Sequence, residues 1–453
     1  MTSLPDGPLV AWYGDDFTGA AATMEAMTFA GLPAAVFFEP PTPEMLARFP
    51  GLRGIGVAGS ARAETPGWMR ANLPDIFRGL AATRAPMLQY KICSTLDSAP
   101  EVGSIGVAME IARDVLGARF FPILPAAPLM GRYQAFGSLF ATAPGGVFRL
   151  DRHPVMARHP ITPMTEADVK LHLSRQTDIV IKTLLLDQLH QGNGVGHLTE
   201  WRGHGVVGVT LDAVSMNDMA TLGQILWSQR GAEVMAVASQ GLQYALIEHW
   251  RARGLLPSPP LVQSMGHAGP IVVVSGSVSP VTEAQIEHAE AAGFAVMALD
   301  ARRLVEDAEA EVAAAAVRAA PLIKTGYDVL FCTARGPNDP AVAEFGAWRA
   351  KQDRPPTLVN RLVGEGLGEI VLRLVRTTAL RRAVISGGDT SGYAARRLGL
   401  FALTALAPTI PGAALCLAHS DDPEVDGIQL ALKGGQMGTT DYFSWIKSGG
   451  GQH

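Results

Sequence analysis

An α/β architecture, two doubly wound and mostly parallel domains facing a cleft, is predicted by three features of the chain. Short apolar runs rich in Val, Ile, Leu and Phe recur about every 25 to 40 residues, the spacing of strands joined by helical crossovers. Ala-rich stretches with helical periodicity lie between most of these runs, which is the rhythm of parallel α/β units. The third feature is size, because 453 residues at about 150 per domain leave room for two or three cores. With 48% hydrophobic and 17% charged residues the chain is compact rather than disordered, and 49 Gly and 31 Pro punctuate many turns.

In chain order, the first strands are expected at Leu9 to Tyr13, Leu88 to Ile92, Phe120 to Leu124, Asp178 to Ile181, Val206 to Leu211 and Val234 to Ala238. A helix capped by Thr18 is expected to run to Ala30 and close at Gly31. The segment GLLPSPPLVQSMGHAGP, Gly254 to Pro270, holds four Pro and three Gly, a density that neither a helix nor a central strand tolerates. The expected division is therefore residues 1–255, a Pro/Gly-rich linker at 256–270, and residues 271–453. The second series has strands near Ile271 to Val274, Val329 to Thr333, Ala383 to Ser386 and Ala414 to Ala418, with long helices at Arg302 to Arg318 and Arg361 to Leu380. The Gly-rich tail from Ser448 to His453 is expected to fray.

Lys plus Arg number 37 against 42 Asp plus Glu, a formal charge of -5 without any basic block, so nucleic acid is not an expected partner. Cys93, Cys332 and Cys416 are far apart and form no CxxC pair, which fits core thiols in a reducing compartment and not a zinc site. The N-terminus lacks a basic n-region, and no window reaches the length of a membrane span, so a soluble cytoplasmic protein is expected.

In parallel sheets ligands gather at the carboxyl ends of strands, which directs attention to the residues that follow each strand. In YGDDFTGA the carboxylates Asp15 and Asp16 follow the first strand. One of them could serve only as a helix cap, but the acid pair with Thr18-Gly19 favours a site, since a helix N-terminus relieves their mutual repulsion. In VVVSGSVSP, Ser275, Gly276 and Ser277 offer small side chains that let phosphate approach, ahead of a helix opened by a Thr282 to Gln285 capping box. ISGGDTSG offers an anion nest at Gly387, Gly388, Asp389 and Thr390, followed by a helix start. The chain has neither the GxGxxG dinucleotide spacing there nor a P-loop lysine anywhere. LALKGGQMG, with Lys433, Gly434 and Gly435, reads better when taken alone as a Gly-rich turn with an exposed lysine. Lys91, Ser94, Thr95 and Asp97 follow a strand, Arg132 lies beyond another, and Arg152, His153, Arg158 and His159 form a small basic cluster of a kind more often solvated than functional. A net acidic protein that binds anions must nonetheless concentrate positive charge somewhere.

Together these motifs resemble those of the four-carbon acid sugar kinase family, whose members begin with an (A/G)DD-x-TGA strand end and carry a GG(D/E)T-S-G loop late in the chain. The resemblance covers almost the full length and rests on YGDDFTGA at 13–20, PAAPLMGR at 125–132, VVVSGSVSP at 272–280, ISGGDTSG at 385–392 and LALKGGQMG at 430–438. It implies an ATP-dependent kinase acting on the terminal hydroxyl of threonate, erythronate or a 3-oxo-tetronate, with the acid on the N-terminal domain and ATP on the C-terminal one. It places nucleotide contacts on Ser275 or Ser277, on Gly387 to Thr390 and on Gly435 or its neighbour.

Many members read Lys-x-Asp-Ser-Thr-Leu-Arg-Gly where this chain has KICSTLDSA, so that Cys93 stands where Asp is common and Asp97 where Arg is common. A cation beside the acid pocket is thereby lost, and the identity of the acid stays open. In the mechanism this implies, Asp15 or Asp16 is the base, the Gly-rich loops and Mg²⁺ hold the triphosphate, and Arg132 with Lys91 pairs with the substrate carboxylate. Thr18, Asp97 and Arg152 complete the acid site. The expected partners are a small acid sugar and ATP, and a homo-oligomer is compatible with the sequence. A nicotinamide-dependent oxidoreductase and a non-catalytic two-domain binder are the alternatives. The missing GxGxxG weighs against the first, and the acid pair has no purpose in the second.

Overall fold

The structure is a computed structural model that describes residues 3–159 and 161–451. It divides into two compact units, Met1–Pro260 and Leu261–His453.

In the first unit the strands are β1 (Val10–Gly14), β2 (Ala34–Phe37), β3 (Gly54–Ala58), β4 (Met87–Lys91), β5 (Phe120–Leu124), β6 (Arg132–Ala135), β7 (Ser138–Ala143), β8 (Gly146–Arg149), β9 (Val180–Leu184), β10 (Val207–Leu211) and β11 (Met235–Ala238). The main sheet runs β2-β3-β1-β4-β11-β5-β10-β9 with every neighbouring pair parallel. β1, β3, β4 and β5 are buried at every residue, as strands covered on both faces must be. β6, β7 and β8 form a separate antiparallel sheet that the sequence reading did not anticipate. Nor did it find β2 and β3, whose sequences AAVF and GIGVA are too short and too rich in small residues to stand out. Beneath the ends of β1 and β4, Tyr13 and Tyr90 stack at 5.9 Å between centroids and both meet Phe77 edge-on. This aromatic packing fixes β1, which leads into the acids, and β4, which ends on Lys91.

The second unit has β12 (Val272–Ser275), β13 (Ala295–Ala298), β14 (Val329–Cys332), β15 (Arg382–Ser386), β16 (Leu400–Ala407), β17 (Leu415–Ser420) and β18 (Gln429–Lys433). Its order is β13-β14-β12-β15-β18-β17-β16. The pairs from β13 to β18 are parallel, and the two involving β17 are antiparallel.

Three local expectations are corrected. The first helix spans Phe17–Thr28 and is capped by Asp16, not Thr18, because the carboxylate reaches the Gly19 amide. The helix expected from Arg302 to Arg318 is two, Ala301–Glu306 and Ala308–Lys324, since Asp307 leaves helical geometry and caps the second. Far from fraying, Gly449, Gly450 and Gly451 are buried. Met265 and Ala268 amides bond to the carbonyls of Gly449 and Lys447 at 3.0 Å, and Arg382 donates to the carbonyls of Gly266, Ile446 and Lys447. Gln452 and His453 lie outside the described residues. Among the described residues no helix is long and apolar enough to cross a membrane.

Candidate active site

The carboxyl ends of β3, β1 and β4, neighbours in the first sheet, converge on one charged cluster. Their backbones are tied together first: the Asp15 amide donates to the Lys91 carbonyl at 3.0 Å and the Arg62 amide to the Asp15 carbonyl at 2.9 Å. Arg62, absent from the sequence-based candidates, bridges both acids through Nη2, 2.7 Å from Asp15 Oδ1 and 2.8 Å from Asp16 Oδ1. Asp16 Oδ1 also accepts the Gly19 amide at 3.0 Å. Lys91 is buried, and its Nζ donates to the Ile92 carbonyl at 2.8 Å. A Cβ on Gly19 would stand 2.7 Å from Lys91 Nζ and closer still to Asp16 Oδ1, so only glycine leaves room for the ammonium beside this carboxylate.

The two acids have different surroundings. Asp15 is 2% exposed and Asp16 is 25% exposed. Burial lifts the Asp15 carboxyl to about 6; Arg62 opposes the rise, Asp16 adds to it and Lys91 opposes it. Burial also lowers Lys91, against the pull of Asp16 and Asp15. On Arg62 burial acts downward too, but Asp15 and Asp16 outweigh it and hold the guanidinium well above its ordinary value. Both oxygens of Asp15 lie against Arg62, whereas the hydrogen bonds of Asp16 all fall on Oδ1. Asp16 Oδ2 is thus the carboxylate oxygen of the pair left to meet a ligand.

Asp97 accepts from Thr95 Oγ1 at 2.9 Å, and Thr95 Oγ1 lies 3.0 Å from Cys93 Sγ. Burial and Asp97 push the Cys93 thiol up to about 11, so it stands as a neutral group in this cluster. Thr18 lies in the first turn of the Phe17–Thr28 helix. Arg132 opens β6, where Nη1 donates to the carbonyls of Met130 and Gly131 while the buried Nε makes no hydrogen bond. The structure does not join Arg132 or Arg152 to the acid pair by any hydrogen bond or ion pair among the described residues. The two histidines of the basic cluster have a local role instead. His153 Nδ1 accepts the amides of Val155 and Met156, and His159 Nδ1 that of Thr162, so both rings cap turns.

In the second unit the loops after β12, β15 and β18, also neighbouring strands, come together. The Gly276 amide donates to the Ser386 carbonyl and the Gly387 amide to the Lys433 carbonyl. The helix after β12, Pro280–Ala291, is capped by Ser279, not by the expected Thr282 box. Thr282 Oγ1 turns instead to Ser277 Oγ at 2.9 Å and the Gly435 carbonyl at 2.9 Å, and Ser279 Oγ also donates to the Gly435 carbonyl. Gln285 holds the carbonyls of Met437 and Thr439. Ser275 Oγ accepts the Ser277 amide at 3.3 Å.

Gly387 has φ +143°, ψ +138°, backbone that a side chain rarely allows. Gly388 opens the following helix, and a Cβ there would meet open space. A Cβ on Gly435 would collide with Ser277 Oγ. The outcome is a cradle of backbone amides and hydroxyls at a helix N-terminus, chemistry that suits the phosphates of a nucleotide. Thr390 borders it, close to Gly276, and the side chain of Asp389 lies outside what the structure describes. Lys433 corrects the sequence reading: it ends β18 and is 0% exposed.

Comparison with known proteins agrees with this division of chemistry. Residues 10–246 match a family described as a sugar-binding N-terminal domain, and residues 272–443 one described as a nucleotide-binding C-terminal domain. The chain is 44% identical over 450 residues to a 3-oxo-isoapionate kinase of Paraburkholderia graminis, covering 99% of this chain and 96% of that one. It is 30% identical over 451 residues to a 3-oxo-tetronate kinase of Pseudomonas fluorescens, covering 98% and 97%. A crystal structure of a Haemophilus influenzae protein shares the fold at 20% identity, with a TM-score of 0.72 over 96% of this chain and 99% of that one. Nothing supports an oxidoreductase or a non-catalytic binder. The chain is an ATP-using kinase and belongs to the four-carbon acid sugar kinase family.

Proposed function

We propose that this kinase transfers the γ-phosphoryl group of ATP to the terminal hydroxyl of a small 3-oxo acid sugar, with the acid on the first unit and the nucleotide on the second. The observation that carries this reading is the acid pair, Asp15 buried and Asp16 partly exposed, clamped by one arginine with Asp16 Oδ2 making no hydrogen bond among the described residues, at the ends of parallel strands. Asp16 Oδ2 accepts the proton of the acid sugar's terminal hydroxyl as the hydroxyl oxygen attacks the γ-phosphorus; the bond from the γ-phosphorus to the β-phosphate oxygen breaks and ADP leaves. Asp15, with its carboxyl near 6, sets the pH above which the pair is fully ionised.

The substrate carboxylate pairs with the Nε edge of Arg132, whose buried donor has no partner among the described residues. Arg132 follows β5, three strand spacings or about 14 Å from β1, whose end carries Asp16, a distance a short acid sugar and two extended side chains can bridge. Lys91 balances Asp16 rather than the substrate. Thr18, Asp97 and Arg152 line the acid side, and Ser275, Ser277, Gly387 to Thr390 and Gly435 cradle the phosphates. Among the described residues no cluster of three or more His, Cys, Asp or Glu could hold a metal, so Mg²⁺ would arrive on the phosphate oxygens of ATP, whose charge it screens.

The relatives make 3-oxo-isoapionate and 3-oxo-tetronate the first acids to assay. ADP release measured with each, and with threonate and erythronate stereoisomers, tests the proposal. Turnover with a 3-oxo acid well above the hydroxy acids is expected; equal rates with all of them, or none, would refute it.

A further inference from the structure

Lys433 has an unusual setting. It ends β18 in register with Ser386 and is wholly buried, yet among the described residues it has no ion-pair partner. Nζ lies 3.1 Å from the Gly434 carbonyl and 3.5 Å from Thr282 Oγ1. The rings of Tyr442 and Phe443 lie 6.0 and 5.9 Å away. Among the described residues the groups around it are uncharged: Ser386 opposite it on β15, Thr282 on the Pro280–Ala291 helix, and the rings of Tyr442 and Phe443 on the Tyr442–Lys447 helix. Three ionic groups on the two helices are placed away from it. Glu283 lies against Gly336, Glu290 pairs with Arg335, and Lys447 pairs with Asp328. Burial alone therefore acts on the Lys433 amine, and pushes it down to about 7.

An unpaired buried ammonium is costly, and a strand end is a poor place for one unless a counter-charge comes. The residues next to Lys433 are Gly434 and Gly435, which form one wall of the phosphate cradle, and Thr282 joins Nζ to Ser277 on the opposite wall. We propose that Lys433 is the built-in counter-charge of the bound nucleotide: it takes up a proton from solvent when the phosphates dock, without itself reaching them. The cradle lacks a P-loop lysine, and Lys433 supplies the missing positive charge from beneath the loop rather than within it. This rests on the nucleotide reading of the three loops given above. By linkage, nucleotide affinity is full where the free lysine is already protonated and declines as pH rises past that point, by up to about tenfold per pH unit until the bound form also titrates.

The experiment is calorimetric titration of ADP into the intact protein near pH 8, in two buffers of different ionisation heat. Above that pH the phosphates of ADP contribute little of their own. The wild type is expected to take up a large fraction of one proton per nucleotide. Lys433→Met should lose that uptake and bind ADP roughly 10- to 100-fold more weakly, while melting no lower than the wild type in the absence of nucleotide. Lys433→Arg, with its permanent charge, should bind without proton uptake and with a flat pH dependence. A wild type that takes up no proton, or a Lys433→Met protein that keeps both the uptake and the affinity, would overturn the proposal. Gly388→Val separates it from the reading beneath it. Lost affinity in Gly388→Val with Lys433→Met unaffected removes the lysine's role and leaves the cradle standing, whereas unchanged affinity in both removes the cradle as well.

Discussion

Arg62→Met isolates the electrostatics of the acid pair. In the folded protein the guanidinium touches Asp15 at 2.7 Å and Asp16 at 2.8 Å, placing the centres of charge roughly 4 Å apart; at an effective dielectric near 20 that is about 4 kcal/mol, or about three pKa units. The guanidinium is 24% exposed, and solvent reduces this, so an upward shift of about one to two units is expected for the Asp15 carboxyl from its value near 6. The sign is fixed by what remains: burial and Asp16 raise this carboxyl, and of the cations only Lys91 is left to oppose them. Because kcat/KM reports the ionisation of the free enzyme, its acid limb should move up with the pair. Near pH 7 the variant should lose roughly 2- to 10-fold, and most of the loss should be recovered by about pH 9. Coupled ADP release at limiting acid sugar, followed from about pH 5.5 to about 9.5, measures the limb. A uniformly lower profile with its limb unmoved would show that Arg62 serves substrate binding and that its clamp on the acids does not govern their ionisation.

Asp16→Asn is expected to cut kcat by 100-fold or more, and Asp15→Asn by much less, so equal losses in steady-state assays would refute the assignment of the base. Asp15 also predicts a stability trend: its folded value is above its unfolded one, so its contribution is full below about pH 4 and is lost as pH rises through about 6. The melting temperature of Asp15→Asn relative to wild type should therefore increase between those pH values. Gly387→Ala forces a side chain into φ +143° and places Cβ 3.0 Å from the Thr390 Cβ; a cost of about 1 to 3 kcal/mol should appear as weaker ATP binding with acid affinity unchanged in calorimetry. Arg382→Met leaves the carbonyls of Gly266, Ile446 and Lys447 without their donor. Chemical denaturation should show roughly 2 to 4 kcal/mol less stability.

How much of this could be read from the chain depended on whether a residue's role is local. DD after a strand and GGDT at a helix start each announce themselves within a few residues, because strand end, cap and nest are built from contiguous backbone. Arg62 does not. It follows β3, a five-residue strand of small side chains that apolar density does not reveal, and it reaches acids 46 and 47 residues away. Had GIGVA been read as a strand, the rule of looking just past each strand would have found it. Lys433 misled for the opposite reason: a lysine before two glycines has the composition of an exposed turn, and only the pairing of β18 with β15 and β17 places it inside. Ser279 takes the capping duty expected of Thr282, whose hydroxyl is drawn instead to the Gly435 carbonyl some 150 residues further on.

The position of β11 has a consequence for how the protein is made. It is the last strand of its unit in sequence, yet it lies between β4 and β5, and β18 similarly enters between β15 and β17. During synthesis β4 has one unpaired edge from the time Lys91 emerges until Ala238 does, a wait of about 7 to 30 s at ordinary elongation rates. An open parallel edge over that interval invites pairing with other chains, so this is the period when the nascent protein most needs a chaperone or dilution. It also means that neither half can be shortened from its C-terminal side: a fragment ending before Met235, or one ending before Gln429, keeps all its motifs up to that point but has a gap in the middle of its sheet.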